Sequence, residues 1–189
     1  MPSLRIARLF GPRQQIGLRA LLRCQRGGPA MELSLVAPMV LALLLAILHT
    51  ALIFTANQAL ETAAEAAGRL VMTGQAQQSG WTQAQFQAQA CAALPKFMPC
   101  AGRLYVDVAP VSSGNFSDAQ TGAVALTYGA SGAVNTTFSY SVGSRGDIVV
   151  VRLMYLWPTV NGPFGLSFVN QQGGNRMLTA ASVLKTEYF

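Results

Sequence analysis

A single carboxylate, Glu32, stands at the edge of an uncharged stretch and is the side chain whose position most requires a chemical partner. The 28 residues of Leu33–Leu60 contain no Asp, Glu, Lys or Arg. About 20 helical residues suffice to cross a bilayer, so this run is long enough. A carboxylate at the rim of a membrane segment is unfavourable unless a positive charge neutralises it. Cleavage after Gly27 would supply that charge, because the new α-amine on Gly28 would lie about one helical turn from Glu32.

Two of the three cysteines could form a covalent cross-link. Cys91 and Cys100 follow the apolar run and stand nine residues apart. If this part of the chain lies beyond a membrane, in an oxidising compartment, we expect a disulfide between them. Their spacing does not fit a C-x-x-C redox pair, and no histidine cluster accompanies them to hold zinc. Cys24 precedes the apolar run, and we expect it to stay reduced.

The remaining candidate groups argue against catalysis. His49 is the only histidine and lies inside the uncharged run. It is interpreted either as a ring packed at the membrane surface or as a contact with a partner's membrane helix. The sequence contains no P-loop, no G-x-S-x-G and no nucleophile paired with histidine. We therefore predict no catalytic residue, no cofactor, no metal and no small-molecule substrate. An anchored periplasmic enzyme would need a pocket with convergent polar groups.

The positive charge of the chain is concentrated at its N-terminus. Residues 1–27 hold six arginines and no acid, whereas the other residues carry seven basic and seven acidic side chains. Beside a membrane segment such a block follows the positive-inside rule, which favours a cytoplasmic N-terminus over nucleic-acid binding. A cleaved secretory signal would have shorter basic and apolar regions. An uncleaved signal anchor remains an alternative.

The apolar run predicts a helix from near Met31 to Thr73, which leaves the bilayer and continues beyond it. Pro38 removes a backbone donor and predicts a helix kink. Small side chains recur along one face of the later part. They are Ala56, Ala59, Ala63 and Ala67. This face would allow close packing against helices of other subunits, or it would cover the protein's own sheet.

Behind this helix the sequence predicts a small head that mixes helix and strand. A shorter helix is predicted over Trp81–Leu94. Alternating apolar residues predict a strand over Arg103–Ala109, with Asp107 on its other face. The strongest strand is predicted over Asp147–Trp157, where Val149, Val151, Leu153, Tyr155 and Trp157 share a face. A weaker final strand is predicted over Arg176–Glu187, with one additional strand over Ala123–Tyr128.

The predicted fold class is therefore α+β. A long N-terminal transmembrane helix extends into a small head that carries a short helix and an antiparallel β-sheet. We predict a basic cytoplasmic leader over residues 1–27, the membrane and extended helix over 28–74, and the head over 75–189. About 115 residues beyond the helix suffice for one modest core.

Three stretches of the sequence form a recognisable pattern. The first is Arg26-Gly-Gly-Pro-Ala-Met-Glu32, followed by the apolar helix; the second is Gly146–Pro158, and the third is Leu178–Phe189. Together they resemble the TadE-like minor pseudopilins of the tight-adherence (Flp, type IVb) pilus system. The resemblance covers about residues 23–189 and implies a pilin-like fold.

The resemblance also implies how the N-terminus is processed. Gly27 would be the residue before the bond cut by a prepilin peptidase, Gly28 the new N-terminus, and Glu32 the fifth residue of the mature chain. The α-ammonium and the Glu32 carboxylate would then neutralise each other, within one chain or between neighbouring subunits.

Location and partners follow from the same resemblance. It implies a single-pass protein of the bacterial inner membrane with a cytoplasmic N-terminus and a periplasmic head, able to enter an extracellular pilus. Its partners would be the prepilin peptidase, other pilins or pseudopilins, and the inner-membrane assembly platform. The alternative is an uncleaved single-pass envelope protein that acts as a binding or scaffold module of a secretion complex.

Overall fold

The apolar stretch forms one continuous helix, α1, over Gly28–Met72 in the computed structural model, which describes residues 28–159, 165 and 167–187. Its Leu- and Ala-rich sequence favours helix, and Pro38 lies within it. The helix ends where Gly74 adopts a left-handed conformation, with φ of 77°, and its N–H bonds to the carbonyl of Val71 at 3.1 Å. The end of α1 therefore confirms the prediction to within one residue.

Contacts between residues divide the chain into two compact units, with the boundary between Leu44 and Leu45. In the first unit, residues 28–44 are helical. The second unit contains the rest of α1 together with the short helices and the sheet. The predicted leader, residues 1–27, lies outside the described residues, and the division into 28–74 and 75–189 stays a prediction.

Two short helices follow α1. α2 is a single turn over Gln75–Gln78, between the two helices predicted from the sequence. α3 spans Gln83–Ala92, inside the predicted range. Thr82 and Gln85 form a capping box at its start, in which the Thr82 side chain and the Gln85 backbone N–H are paired at 3.3 Å. This reciprocal cap satisfies amide groups that the first turn leaves unpaired.

Three strands in the described part of the chain form an antiparallel sheet in the order β1-β2-β3. β1 spans Leu104–Pro110, β2 spans Ile148–Pro158 and β3 spans Asn175–Lys185. Short 3-10 turns lie at Phe116–Asp118 and Gln172–Gly174. The predicted α+β class is confirmed. The final strand, predicted to be weak, pairs with β2 along its whole length.

The additional strand predicted over Ala123–Tyr128 is absent from the described structure. Only an isolated antiparallel bridge joins Tyr128 to Val134. The backbone N–H of Thr127 donates to the Thr136 hydroxyl at 2.7 Å rather than to a carbonyl. A side-chain oxygen thus takes the place of a ladder acceptor, which is how Thr competes with regular structure. The segment therefore forms no continuous ladder with the residues opposite it.

The core lies between α1, α3 and one face of the sheet. The apolar side chains on this face of the strands are Leu104, Val106, Val108, Val149, Val151, Leu153, Tyr155, Leu178, Ala180 and Leu184. Phe86 of α3 is also fully buried in this cluster. The second half of α1 contributes Leu60 and Val71, both with no exposed surface. Burial of side chains of this size stabilises the fold by about 1.5–3 kcal/mol each.

Candidate functional site

The small-residue face of α1 is occupied within the chain. Ala56, Ala63 and Ala67 are buried in the core, and Ala59 is partly buried against it. This is the arrangement in which the face covers the protein's own sheet, one of the two predicted alternatives. Because these side chains already contact the head, packing between subunits at this level would need other faces of α1.

Gly68 sets how closely α1 approaches the sheet. A methyl group placed on Gly68 would lie 2.8 Å from the Ser182 hydroxyl oxygen and 3.0 Å from Leu184 Cδ2. Both residues belong to β3. The helix therefore contacts the edge of the sheet at a distance that no larger residue at position 68 permits without a shift of the neighbours.

Most of the large apolar side chains in the first part of α1 are exposed in the described structure. Met31 is 74 % exposed, Leu35 is 71 % exposed and Phe54 is 68 % exposed. The segment Ala30–Met72 is long and apolar enough to cross a membrane, by length and composition. One helix thus combines an exposed apolar start with an end that belongs to the core of the head. This is compatible with a single-pass membrane protein.

The predicted processing residues lie at the start of this helix. Gly28 and Glu32 share α1 one turn apart, and Glu32 is exposed. Glu32 forms no ion pair with another residue in the described ranges. Gly27 lies outside the described residues. Pro38 lies within α1, and the helix kink predicted at this residue stays a prediction.

His49 contacts the head of its own chain. Its ring meets that of Phe168 edge to face, with centroids 5.0 Å apart. Both residues are half-buried. The contact agrees with a packed imidazole, the first of the two interpretations drawn from the sequence. No feature of the sequence identified Phe168 as the partner, because the pairing depends on how the segment before β3 returns to α1.

Cys91 and Cys100 form a disulfide, with Cα atoms 6.0 Å apart. The bridge ties the end of α3 to the segment that leads into β1. Close to it, the Tyr155 hydroxyl donates to the Pro99 carbonyl at 2.9 Å. Burial raises the pKa of Tyr155, while the nearby Arg103 lowers it by a smaller amount. The predicted cross-link is therefore present and lies against the core.

An ion pair lies on the face of the sheet opposite α1. Arg152 Nη2 is 2.6 Å from Asp107 Oδ2, and Asp107 Oδ1 accepts the backbone N–H of Ser139 at 2.8 Å. Asp107 is 3 % exposed. The group joins β1, β2 and the long connection between them. Sequence reasoning placed Asp107 on the outer face but missed its partner, since Arg152 comes opposite only in the β1–β2 register.

A depression of about 380 Å³ opens beside this ion pair, lined mainly by the connection after β1. Arg152 and Asp118 are the charged residues of its lining, with Ser112 and Ser113 nearby. The lining contains neither a histidine nor a cysteine. Within the described ranges, no three His, Cys, Asp or Glu residues are grouped so that they could hold a metal ion.

Residues 27–69 match the family model described as TadE-like protein. The match covers the predicted processing residues, the apolar run and most of the helical segment that enters the head. It confirms the resemblance for this segment and is consistent with a TadE-like protein of the tight-adherence pilus system. No curated protein and no solved structure matches the chain.

Proposed function

We propose that this protein is a minor pseudopilin that supports the assembly or initiation of a tight-adherence type IVb pilus used for surface attachment. Its role is structural. The head stays beyond the membrane while α1 anchors the subunit until it is taken up by the assembly platform. TadE-like pilus proteins are structural rather than enzymatic, and the depression beside Arg152 offers neither histidine nor cysteine as a catalytic group.

One observation supports this proposal most strongly: the TadE-like match covers a helix whose two ends have different surroundings. The matched segment, residues 27–69, contains both the exposed apolar start of α1 and the alanines buried in the head. A helix built in this way can be held by lipid at one end while its other end is an integral part of a folded head. That combination suits a subunit stored in a membrane and later moved into a filament.

Glu32 has a defined part in the proposal. After cleavage between Gly27 and Gly28 by a prepilin peptidase, the α-ammonium of Gly28 and the Glu32 carboxylate lie on one helix, about one turn apart. Opposite charges at that distance favour the ionised forms of both groups and reduce the cost of holding either one at an apolar rim. A neighbouring subunit could offer the same amine during docking.

The proposal is tested by following this protein into sheared, purified filaments. Cells that express Glu32→Ala are compared with wild type and with Glu61→Ala, which removes an exposed carboxylate from the same helix outside the uncharged run. We expect fewer pili and less incorporated subunit for Glu32→Ala, and wild-type levels for Glu61→Ala. A subunit absent from filaments in all strains, with pilus number unchanged by its deletion, would favour an uncleaved envelope scaffold instead.

A further inference from the structure

A groove lies where α1 enters the head, and its lining combines two different surfaces. From α1 come Thr50, Ile53, Phe54 and Asn57, and from the head come Phe168 and the first residues of β3. The groove encloses about 290 Å³. Phe168, which lines the groove, also contacts the His49 ring edge to face. All of these residues belong to the same compact unit.

A second, apolar depression of about 390 Å³ continues along α1 from this groove. It is lined by Ala46, Ile47 and Ala51 together with Thr50 and Phe54, and the last two residues also line the first groove. The two depressions therefore form one continuous surface. Along the helix it extends for about 16 Å, from Ala46 to Asn57, at the standard rise per residue.

The two ends of this surface differ in charge. The depression toward the N-terminal side has an almost wholly apolar lining. The groove at the head contains one charged side chain, Arg176, whose Nη1 donates to the Phe168 carbonyl at 3.3 Å. A guanidinium has five N–H donors, so others remain to bind an oxyanion. No Asp or Glu lies among the lining residues of either depression.

We propose that this continuous surface is a binding site for one anionic phospholipid of the leaflet next to the head. An acyl chain lies along the apolar depression on α1, and the lipid phosphate is bound by Arg176. The charge of the guanidinium complements the phosphate, and the apolar depression continues the exposed apolar surface of the helix. The proposal rests on the single-pass membrane arrangement of the proposed function.

Bound lipid would fix the height of the head relative to the bilayer. The uncharged run extends to Leu60, yet Ile53, Ala56 and Leu60 are already buried in the head. The bilayer therefore has to end before this level, near the groove. A phosphate held at Arg176 places the lipid headgroup layer at that point and lets the head rest directly on the membrane surface.

The test uses the full chain purified in detergent and titrated with phosphatidylglycerol, with bound lipid counted by native mass spectrometry. Arg176→Gln removes the proposed phosphate ligand. Lys185→Gln is the matched control, because it removes one positive charge from the same strand about 30 Å away at the strand rise per residue. That distance is several screening lengths at physiological salt.

We expect one phosphatidylglycerol to bind tightly to wild type and to Lys185→Gln, and about tenfold more weakly to Arg176→Gln, which corresponds to about 1.4 kcal/mol. Arg176→Lys keeps the charge and should retain most of the affinity. That result would attribute the loss of lipid affinity in Arg176→Gln to the missing charge rather than to a folding defect. Phosphatidylcholine with the same acyl chains should bind more weakly than phosphatidylglycerol to wild type. Ala51→Phe, which fills the apolar depression, should also weaken lipid binding.

Three results would overturn the proposal. One is equal binding of phosphatidylglycerol to wild type and Arg176→Gln. Another is equal binding of the two lipids to wild type. The third is complete competition by glycerophosphoglycerol, the headgroup without acyl chains, which would indicate a site for a soluble phosphate ester. None of these results depends on leader cleavage or on entry into filaments, so failure here is distinguishable from failure of the proposed function.

Discussion

Substituting Gly68 by alanine tests whether α1 rests on β3 as closely as the structure shows. In an unobstructed helix, Gly→Ala stabilises by about 1 kcal/mol, because alanine loses less conformational freedom on folding. At position 68 the new methyl would meet the Ser182 hydroxyl at 2.8 Å, Leu184 Cδ2 at 3.0 Å and Ser182 Cβ at 3.3 Å. Overpacking of this kind costs about 1–3 kcal/mol. We therefore expect Gly68→Ala to lower the free energy of unfolding by about 1 kcal/mol.

The cause can be separated from a general helix effect with a double-mutant cycle. Ser182→Gly removes two of the three close atoms, so Gly68→Ala in that background should become neutral or stabilising. The expected coupling between the two positions is about 1–2 kcal/mol. The assay is denaturant unfolding of the full chain in a mild detergent, followed by the fluorescence of Trp81 and Trp157, which both pack against the core.

The sign of the stability change in Gly68→Ala decides whether α1 packs closely against β3 at this position. If Gly68→Ala raised stability by about 1 kcal/mol in the wild-type background, the helix would not contact β3 at this point.

Three further predictions concern the interior of the head. Asp107→Ala leaves Arg152 without its carboxylate and should destabilise by about 3 kcal/mol, a loss that changing both residues to apolar ones should largely remove; calorimetry of the single and double variants checks this. Because burial raises the pKa of Tyr155 above its unfolded value of about 10, the stability from the neutral phenol is fully present below that pH and is lost as pH rises above it. Unfolding measured from pH 8 to 11 should show this decline, and Tyr155→Phe should make it shallower; an unchanged slope would contradict the assignment. Changing Cys91 and Cys100 together to serine should cost about 2.5 kcal/mol from loop closure, and a reducing agent should lower the melting temperature of wild type but not of the double variant.

The long helix and the three strands could be predicted because their patterns are local. An uncharged run predicts α1. In β2, Val149, Val151, Leu153 and Tyr155 share a face as predicted and are buried, but the apolar residues on the other face of this strand are buried as well. The disulfide could be predicted because this part of the chain was expected to lie in an oxidising compartment. Its spacing alone would not have established it.

The contacts of the candidate site could not be predicted in the same way. The partner of His49 is set by a segment more than 100 residues later in the chain, and the Asp107–Arg152 pair depends on strand register. The groove with Arg176 arises only when β3 packs beside α1. Pairing between distant segments is fixed by tertiary structure, and residue types and spacing carry no direct record of it.

The mature N-terminus is the most direct test of the central claim. It is measured by mass spectrometry of the protein purified from cells with and without the prepilin peptidase. The account predicts a chain that begins at Gly28 when the peptidase is present and an uncleaved chain when it is absent. An uncleaved chain in both strains would contradict the account, since Glu32 would then have no α-amine of its own chain to pair with.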